Sequence, residues 1–309
     1  MRQQILTISL CCVFILSALS DVLSQPLHRT DLSNLRVNAF AQDSLGYIWI
    51  ATANGLCKSF GESYDVFFYD EADEHSIPSN LITGLYVDDA SKLWISTGKG
   101  ICSMARGKYE FHRYSQSTST GMESFFLGFV QYAGRIYTYG YNGLYEIDEK
   151  NKTLIPRIEV DRQVIYGAVT DSHGNLWLTN GAELIKLDRS LSLISKIVVG
   201  RDDVVNCMVS DREKILLGTE NGIKLLDLHS LEISDGDFPH ALDDLRINQM
   251  LPVDGGRKLL ISTRNKGALV YDMETRDVIS RYNNDEFADI PSVDINTAFV
   301  DKEKNVWFG

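Results

Sequence analysis

Gln42-Asp43-Ser44-Leu45-Gly46-Tyr47-Ile48-Trp49-Ile50-Ala51-Thr52-Ala53-Asn54-Gly55-Leu56 decides the fold. Tyr47 to Ala51 is aromatic and β-branched, which suits a strand. Asn54-Gly55 is a strong tight-turn signal. Before the strand, Asp43 to Gly46 makes another turn, with the Asp carboxylate placed to accept from the next backbone NH groups. The glycines supply the positive φ such turns need. Asn38 to Gln42 reads as a preceding strand, Leu56 to Phe60 as a third and Asp65 to Tyr69 as a fourth. Four short strands and three turns in roughly 43 residues form one blade of a β-propeller.

The pattern recurs. All four tryptophans are the middle residue of an apolar triplet: Ile48-Trp49-Ile50, Leu93-Trp94-Ile95, Leu176-Trp177-Leu178 and Val306-Trp307-Phe308. Ile136-Tyr137-Thr138, Ile215-Leu216-Leu217 and Leu259-Leu260-Ile261 fill the gaps. The anchors are then Trp49, Trp94, Tyr137, Trp177, Leu216, Leu260 and Trp307. Asp43, Asp88, Asp171, Asp254 and Asp301 stand six residues before their anchors, with Asp211 near that place. Thr-x-x-Gly-apolar follows at Thr52 to Leu56 and Thr219 to Ile223, with close variants from Thr97 and Thr263. No long segment has helical period. The fold class is all-β: a β-propeller of six complete four-stranded blades plus a partial seventh. Each anchor ring should fill the gap between its blade and the next, worth roughly 2–3 kcal/mol by area.

Composition agrees with a folded chain. Of 309 residues, 44% are apolar and 23% charged, which excludes disorder as the main state. The net charge of −12 argues against a nucleic-acid partner and against docking on anionic lipid. Residues 1–24 read as a signal peptide: one Arg in Met1 to Gln4, an apolar run from Ile5 to Leu19, then small residues at Ser20 and Ser24. The competing reading is an uncleaved anchor, although about 20 apolar residues normally span a bilayer. Residues 25–309 form the propeller. Cys57 and Cys102 occupy equivalent points of neighbouring repeats, too far apart to bridge. They and Cys207 are expected as free thiols.

These residues resemble the two-component regulator propeller repeat. The best matches are Gln42 to Leu56, Lys92 to Thr97 and Asp171 to Leu178, with Ser76 to Ile82 resembling the family's usual lead into a new blade. The resemblance implies a periplasmic sensor region of a Bacteroides-type hybrid two-component histidine kinase. In such receptors two propellers usually precede a small β-domain, a transmembrane helix and a kinase core. Many respond to oligosaccharides, and signalling generally uses a dimer. The sequence reaches Gly309 just after the second strand of the seventh repeat, with no kinase motif. It is therefore expected to be the sensor end of a longer receptor or a shortened product, and not itself an enzyme. Membrane contact is expected only through the signal peptide or a missing C-terminal part. Pro26 to Leu32 is a candidate closing strand for the seventh blade.

Enzyme and metal readings fare poorly. A sialidase Asp box places two residues from Asp to Gly, whereas Asp43 to Gly46 and Asp171 to Gly174 span three. Asp70 to Glu74 lacks the spacing of a calcium loop. The six histidines form no zinc motif. No catalytic residue, cofactor or metal is expected. Asn38, Asn206 and Asn296, with Asn248 nearby, begin inner strands, where they either tie blades together or line a polar channel. A ligand would meet the loops between strands two and three, because loops vary while blades stay rigid. These carry Asn54, Lys99, Tyr139, Tyr141, Asn142, Asn221, Arg264, Asn265 and Lys266. Tyrosine faces beside amides at Tyr139, Tyr141 and Asn142 suit the CH faces and hydroxyls of an oligosaccharide.

Overall fold

A computed structural model describes residues 32–34, 36–60, 63–105, 107–116, 125–200, 203–283 and 294–309. The expected signal peptide and most of the candidate closing strand lie outside the described residues.

The chain lays down antiparallel sheets in sequence order. The first holds β1 (Val37–Gln42), β2 (Ile48–Thr52), β3 (Gly55–Phe60) and β4 (Ser63–Phe67). The next sheet begins with β5 (Ile82–Val87), β6 (Leu93–Thr97), β7 (Gly100–Met104) and β8 (Phe111–Gln116). These join β9 (Phe126–Tyr132), β10 (Arg135–Asp148) and β11 (Thr153–Val164) in one seven-stranded sheet. Four-stranded sheets follow: β12 (Gly167–Thr170), β13 (Leu176–Thr179), β14 (Glu183–Leu187) and β15 (Leu193–Val198); β16 (Val205–Asp211), β17 (Lys214–Thr219), β18 (Gly222–Asp227) and β19 (Ile233–Ser234); β20 (Ile247–Val253), β21 (Lys258–Thr263), β22 (Ala268–Asp272) and β23 (Asp277–Tyr282). A two-stranded sheet of β24 (Ala298–Val300) and β25 (Val306–Phe308) comes last. Two three-residue 3-10 turns are the whole helical content of the described residues.

The seven-stranded sheet departs from the expectation of separate blades. Its two halves meet where β8 and β11 pair in parallel, Ser115 opposite Thr153 and Gln116 opposite Leu154. Its long strand β10 also folds back on itself. Eleven residues of extended strand would separate Arg135 from Glu146 by about 36 Å, yet the two side chains form an ion pair. The bend falls at Asn142 and Gly143, both with positive φ, at 67° and 136°.

The sheets form a closed circle. The leading strands touch in order, β1 to β5, β9, β12, β16, β20 and β24, and β24 returns to β1. Each anchor residue packs into the following sheet. Trp49 joins Ile82 and Ile95. Trp94 joins Phe126 and Tyr145, Tyr137 joins Ile165 and Leu178, and Trp177 joins Val205 and Leu217. Leu216 joins Ile247 and Ile261, and Leu260 joins Ala298 and Phe308. Trp307 closes the circle on Val37, Phe40 and Ile50, with Leu32 packed beside them. The core is thus a series of inter-sheet layers, as expected for amphipathic sheets that must bury both faces.

The repeated polar residues have specific partners. Each Trp indole donates to the Asp six residues earlier: Trp49 to Asp43 at 3.0 Å, Trp94 to Asp88 at 2.8 Å, Trp177 to Asp171 at 2.8 Å and Trp307 to Asp301 at 2.9 Å. The same carboxylates close the turn, with Asp43 accepting from the backbone NH groups of Leu45 and Tyr47. The repeat threonines cap the other turn; the Thr52, Thr97, Thr219 and Thr263 hydroxyls donate to the carbonyls of Gly55, Gly100, Gly222 and Gly267.

Asn38, Asn206, Asn248 and Asn296 tie sheets together. Their amides donate to the carbonyls of Ile82, Ile247, Ile295 and Val37, at 2.7 to 2.9 Å. Thr83 does the same to Phe126. Asn38, Thr83, Asn206 and Asn248 sit at register shifts in their strands. A bulge leaves one residue unpaired and re-aims its side chain, here across to the neighbouring sheet. Leu127 and Ala168 follow Phe126 and Gly167, the first residues of β9 and β12, and have no such donor.

Candidate functional site

The loops between second and third strands lean on the segments that lead into a sheet. Gly55 donates to the Asn80 carbonyl, Gly98 to Leu81, Gly222 to Leu245 and Arg264 to Arg246. Loops and leading segments therefore gather on one face.

The candidate residues divide on this face. Asn54 and Lys99 are exposed at their turn tips, their backbone NH groups held by Thr52 and Thr97. Arg264 is exposed and reaches Glu220 at 3.5 Å. Asn265 is committed to the fold: its Oδ1 accepts from Arg246 NH and its Nδ2 donates to the Asp244 carbonyl. Asn221 donates to Asp203 at 3.1 Å, and the Lys266 NH donates to Thr263. Tyr141 and Asn142 are half-buried at the β10 bend, with Tyr141 NH donating to the Phe125 carbonyl.

Tyr139 differs from expectation. It stands within the strand, opposite Gly128. Residues two apart on a strand share a face, so Tyr139 follows Tyr137 into the layer with Ile158 and Ala168. Burial pushes its hydroxyl up to about 12. The turn that would have displayed its ring comes three residues later, at Asn142.

Cavities open among the described residues. One of about 560 Å³ lies over Asp88, Asp89, Arg135, Glu146 and Glu149. In it the buried Glu146 is held between Arg135 and Arg157, the latter with Nη2 2.6 Å from Oε2. A second, about 360 Å³, lies between β1, β5 and β24, lined by Phe40, Tyr86 and Phe299. Phe40 and Phe299 stack there with centroids 6.4 Å apart. The third, about 470 Å³, lies beside Lys99, with Tyr69, Arg113, Tyr114 and Lys152. Of the nine loop candidates, Lys99 alone lines one of these three. The others were chosen for loop position, and position on a loop does not encode concavity. Sequence reasoning missed Arg113 and Lys152, which lie on an outer strand and a turn of the neighbouring repeat, with no shared motif to connect them. Among the described residues no group of His, Cys, Asp or Glu is placed to hold a metal.

The thiols are shielded. Cys57 and Cys102 are buried and Cys207 half-buried, and none is bridged. Burial raises the Cys102 thiol far above its ordinary value and the Cys207 thiol to about 12.

Comparison with known proteins places this arrangement. The two component regulator propeller family matches residues 31–54, the stretch holding the first Asp–Trp pair. This chain carries the two component regulator propeller repeat. No curated protein matches the sequence. The extracellular domain of the hybrid two component system BT3049 from B. thetaiotaomicron is similar in structure, with a TM-score of 0.74 and 19% identity. The match covers 90% of this chain and 39% of that domain. A second such domain, of BT4673 from the same organism, gives 0.68 at 18% identity, over 89% of this chain and 40% of that one. Virginiamycin B lyase from Staphylococcus aureus, in a catalytically inactive form with quinupristin, gives 0.61 at 12% identity, over 82% of this chain and 92% of the lyase. At these identities the likeness is one of fold: an all-β propeller. The chain spans about two-fifths of the two ectodomains.

Proposed function

We propose that this chain is the ligand-sensing propeller of a hybrid two-component sensor histidine kinase, exported to the periplasm and responsive to carbohydrate. Residues 1–24 direct export, and residues 25–309 form six four-stranded blades with a seventh begun by β24 and β25. The chain performs no chemistry; it binds a ligand or reports a dimer state, and a kinase elsewhere in the receptor reads it out.

One observation carries the reading. The regulator propeller match falls on the first repeat, and its Asp–Trp clamp recurs at Trp94, Trp177 and Trp307 with the same geometry. The two hybrid-system ectodomains of similar fold support the sensor role. The loop face with Asn54, Lys99, Tyr141, Asn142 and Arg264 is the first place to seek a saccharide contact, Asn265 being held by the fold.

A second reading has one observation behind it. The lyase matches over 92% of its own length, so a single propeller of this size also stands alone as a protein. An exported stand-alone binder is thus the rival.

Reading the gene past codon 309 separates the two. A frame that continues into further repeats, a membrane helix and a kinase core supports the sensor. A stop codon there removes the kinase role and leaves the stand-alone binder. Carbohydrate response is tested by exposing cells to oligosaccharides of defined composition and measuring transcription from the receptor's target genes. Equal transcription with and without every saccharide overturns that part of the proposal.

A further inference from the structure

One side chain is missing from a position that the other repeats fill. Strand register sets Tyr86 opposite Trp94, Val130 opposite Tyr137, Val169 opposite Trp177, Val209 opposite Leu216, Leu251 opposite Leu260 and Phe299 opposite Trp307. In the first sheet the residue opposite Trp49 is Ala41. Each of the bulky residues packs in the same layer as its anchor. Ala41 does so beside Leu85 and Val87, but it fills far less of the layer.

The space left over is the cavity of about 360 Å³ between β1, β5 and β24. That volume exceeds the roughly 150 Å³ that takes a benzene ring in an apolar core. It also falls within the usual range for small-molecule sites, about 300–1,000 Å³. The cavity opens at the ends of these strands, at Gln42, Val87 and Asp301, where the turns to the second strands begin. First and second strands run antiparallel, so this end is opposite the loops that carry Asn54 and Lys99.

Its walls are aromatic and held in place. Phe40 and Phe299 stack on the β24 side, with centroids 6.4 Å apart and planes at 23°. Tyr86 stands on the β5 side. It stacks on Phe129 at 6.4 Å and 29°, and its hydroxyl donates to Gln131 Oε1 at 2.7 Å. Among the described residues Tyr86 makes no ring pair with Phe40 or Phe299. The two walls therefore stand apart, with Ala41 between them. The polar groups of the rim are spent on the turn. Gln42 bonds Glu303 and the Lys302 NH, Asp301 accepts from Trp307 and Asn305, and Lys302 Nζ donates to the Asp43 carbonyl. A slot between fixed rings, its rim already hydrogen-bonded, favours a flat uncharged ring over a strongly hydrated group.

We infer that this cavity binds a neutral planar aromatic molecule of one or two rings, seated over Ala41 between the Phe40–Phe299 pair and Tyr86. The inference goes beyond the sensor reading and does not rest on it, because binding is measured on the purified chain and on the face opposite the loops.

The test is titration of the nitrogen-15-labelled chain with indole, followed by the backbone amide shifts. Cyclohexanol, apolar but not planar, is the comparison ligand. The variants are Ala41→Leu and Ala41→Val, whose side chains equivalent positions already carry, and Tyr86→Leu, which removes a wall ring. A cooperative thermal melt establishes that each variant is folded, and Ala41→Val serves where Ala41→Leu is not. Expected are saturable shifts at Ala41, Leu85, Tyr86 and Phe299, with none at Leu216. Filling the space with Ala41→Leu should weaken indole binding about tenfold or more. Tyr86→Leu should weaken it, and cyclohexanol should bind at least about fivefold more weakly than indole. No shift at the four cavity residues in millimolar indole overturns the inference. So does a folded cavity-filling variant that binds indole as tightly as the natural chain, or equal affinity for cyclohexanol.

Discussion

Asn296 donates from its side-chain Nδ2 to the backbone carbonyl of Val37 at 2.8 Å, across 259 positions of the chain. It repeats, at the seam of the circle, the tie that Asn38 makes to Ile82 within it. Trp307 supports the same seam, its indole held by Asp301 and its ring packed against Phe40 with centroids 6.3 Å apart. Around them, Gln42 donates to Glu303 at 2.8 Å and accepts from the Lys302 NH at 2.7 Å.

Loosening the seam should show locally first. Asn296→Ala removes one neutral hydrogen bond and should cost about 1 kcal/mol in urea unfolding. Trp307→Ala removes a buried ring and should cost about 3–5 kcal/mol. Both should speed amide exchange in β1 more than in β16. Uniform exchange across the two strands would show that the seam is not the weak joint.

The Asp–Trp clamp makes a second prediction. Trp177 is fully buried and donates to Asp171, itself 5% exposed. Asp171→Ala leaves that indole NH unpaired and opens the turn to His173 and Asn175. The expected loss is about 2–3 kcal/mol. Asp171→Asn should cost less, because its amide oxygen still accepts one donor. Chemical denaturation of the two variants orders them.

Acid should unfold the propeller through these turns. Burial opposes the charge on Asp171, but hydrogen bonds from Asn175, Trp177 and the backbone outweigh it and hold the carboxyl below its ordinary value. Asp148, Asp188, Asp227 and Asp272 are likewise lowered, chiefly by Asn151, by Ser190, by the Ser230 NH and by the Thr275 NH. A carboxyl with a lower pKa in the folded state stabilises it above the unfolded value, about 3.9, and loses that contribution as pH falls through the folded value. The melting temperature should therefore hold from about pH 7 to pH 5 and drop below about pH 4. A flat profile down to pH 3 would count against the carboxylate turns.

Gly143 should tolerate no side chain. Its φ of 136° is disfavoured for L residues, and an added Cβ would overlap the Ile158 carbonyl. Gly143→Ala should destabilise by at least about 3 kcal/mol. Gly46 also has positive φ, but open space surrounds it, so Gly46→Ala should cost only the backbone strain. Thermal melts of the pair separate strain from overlap.

Much of this fold is legible in the sequence because its rules are local. The Asp, Trp, Thr and Gly of Gln42 to Leu56 act within a few residues of one another, through turn hydrogen bonds and alternating faces. The Trp indole bond to Asp six residues earlier was carried by the recurring spacing, but repeats with Leu216 and Leu260 at the anchor hid it. The candidate site was less legible. Tyr139 sits among loop-like residues, yet the turn forms later and its ring turns inward with Tyr137. Arg113 and Lys152 belong to different repeats, and no sequence period links them.

By itself the sequence determined an all-β repeat with turns at stated residues, one packed anchor per repeat, and buried unbridged thiols at Cys57 and Cys102. Turn chemistry and a two-residue side-chain period act on neighbours along the chain, so they can be read from it. Only the tertiary structure decided that Asn296 reaches Val37, that β8 pairs with β11, and that Lys99, Arg113 and Lys152 line one cleft. Those outcomes depend on how far each sheet twists and how closely it stacks on the next. Twist and stacking come from contacts between residues some forty or more positions apart.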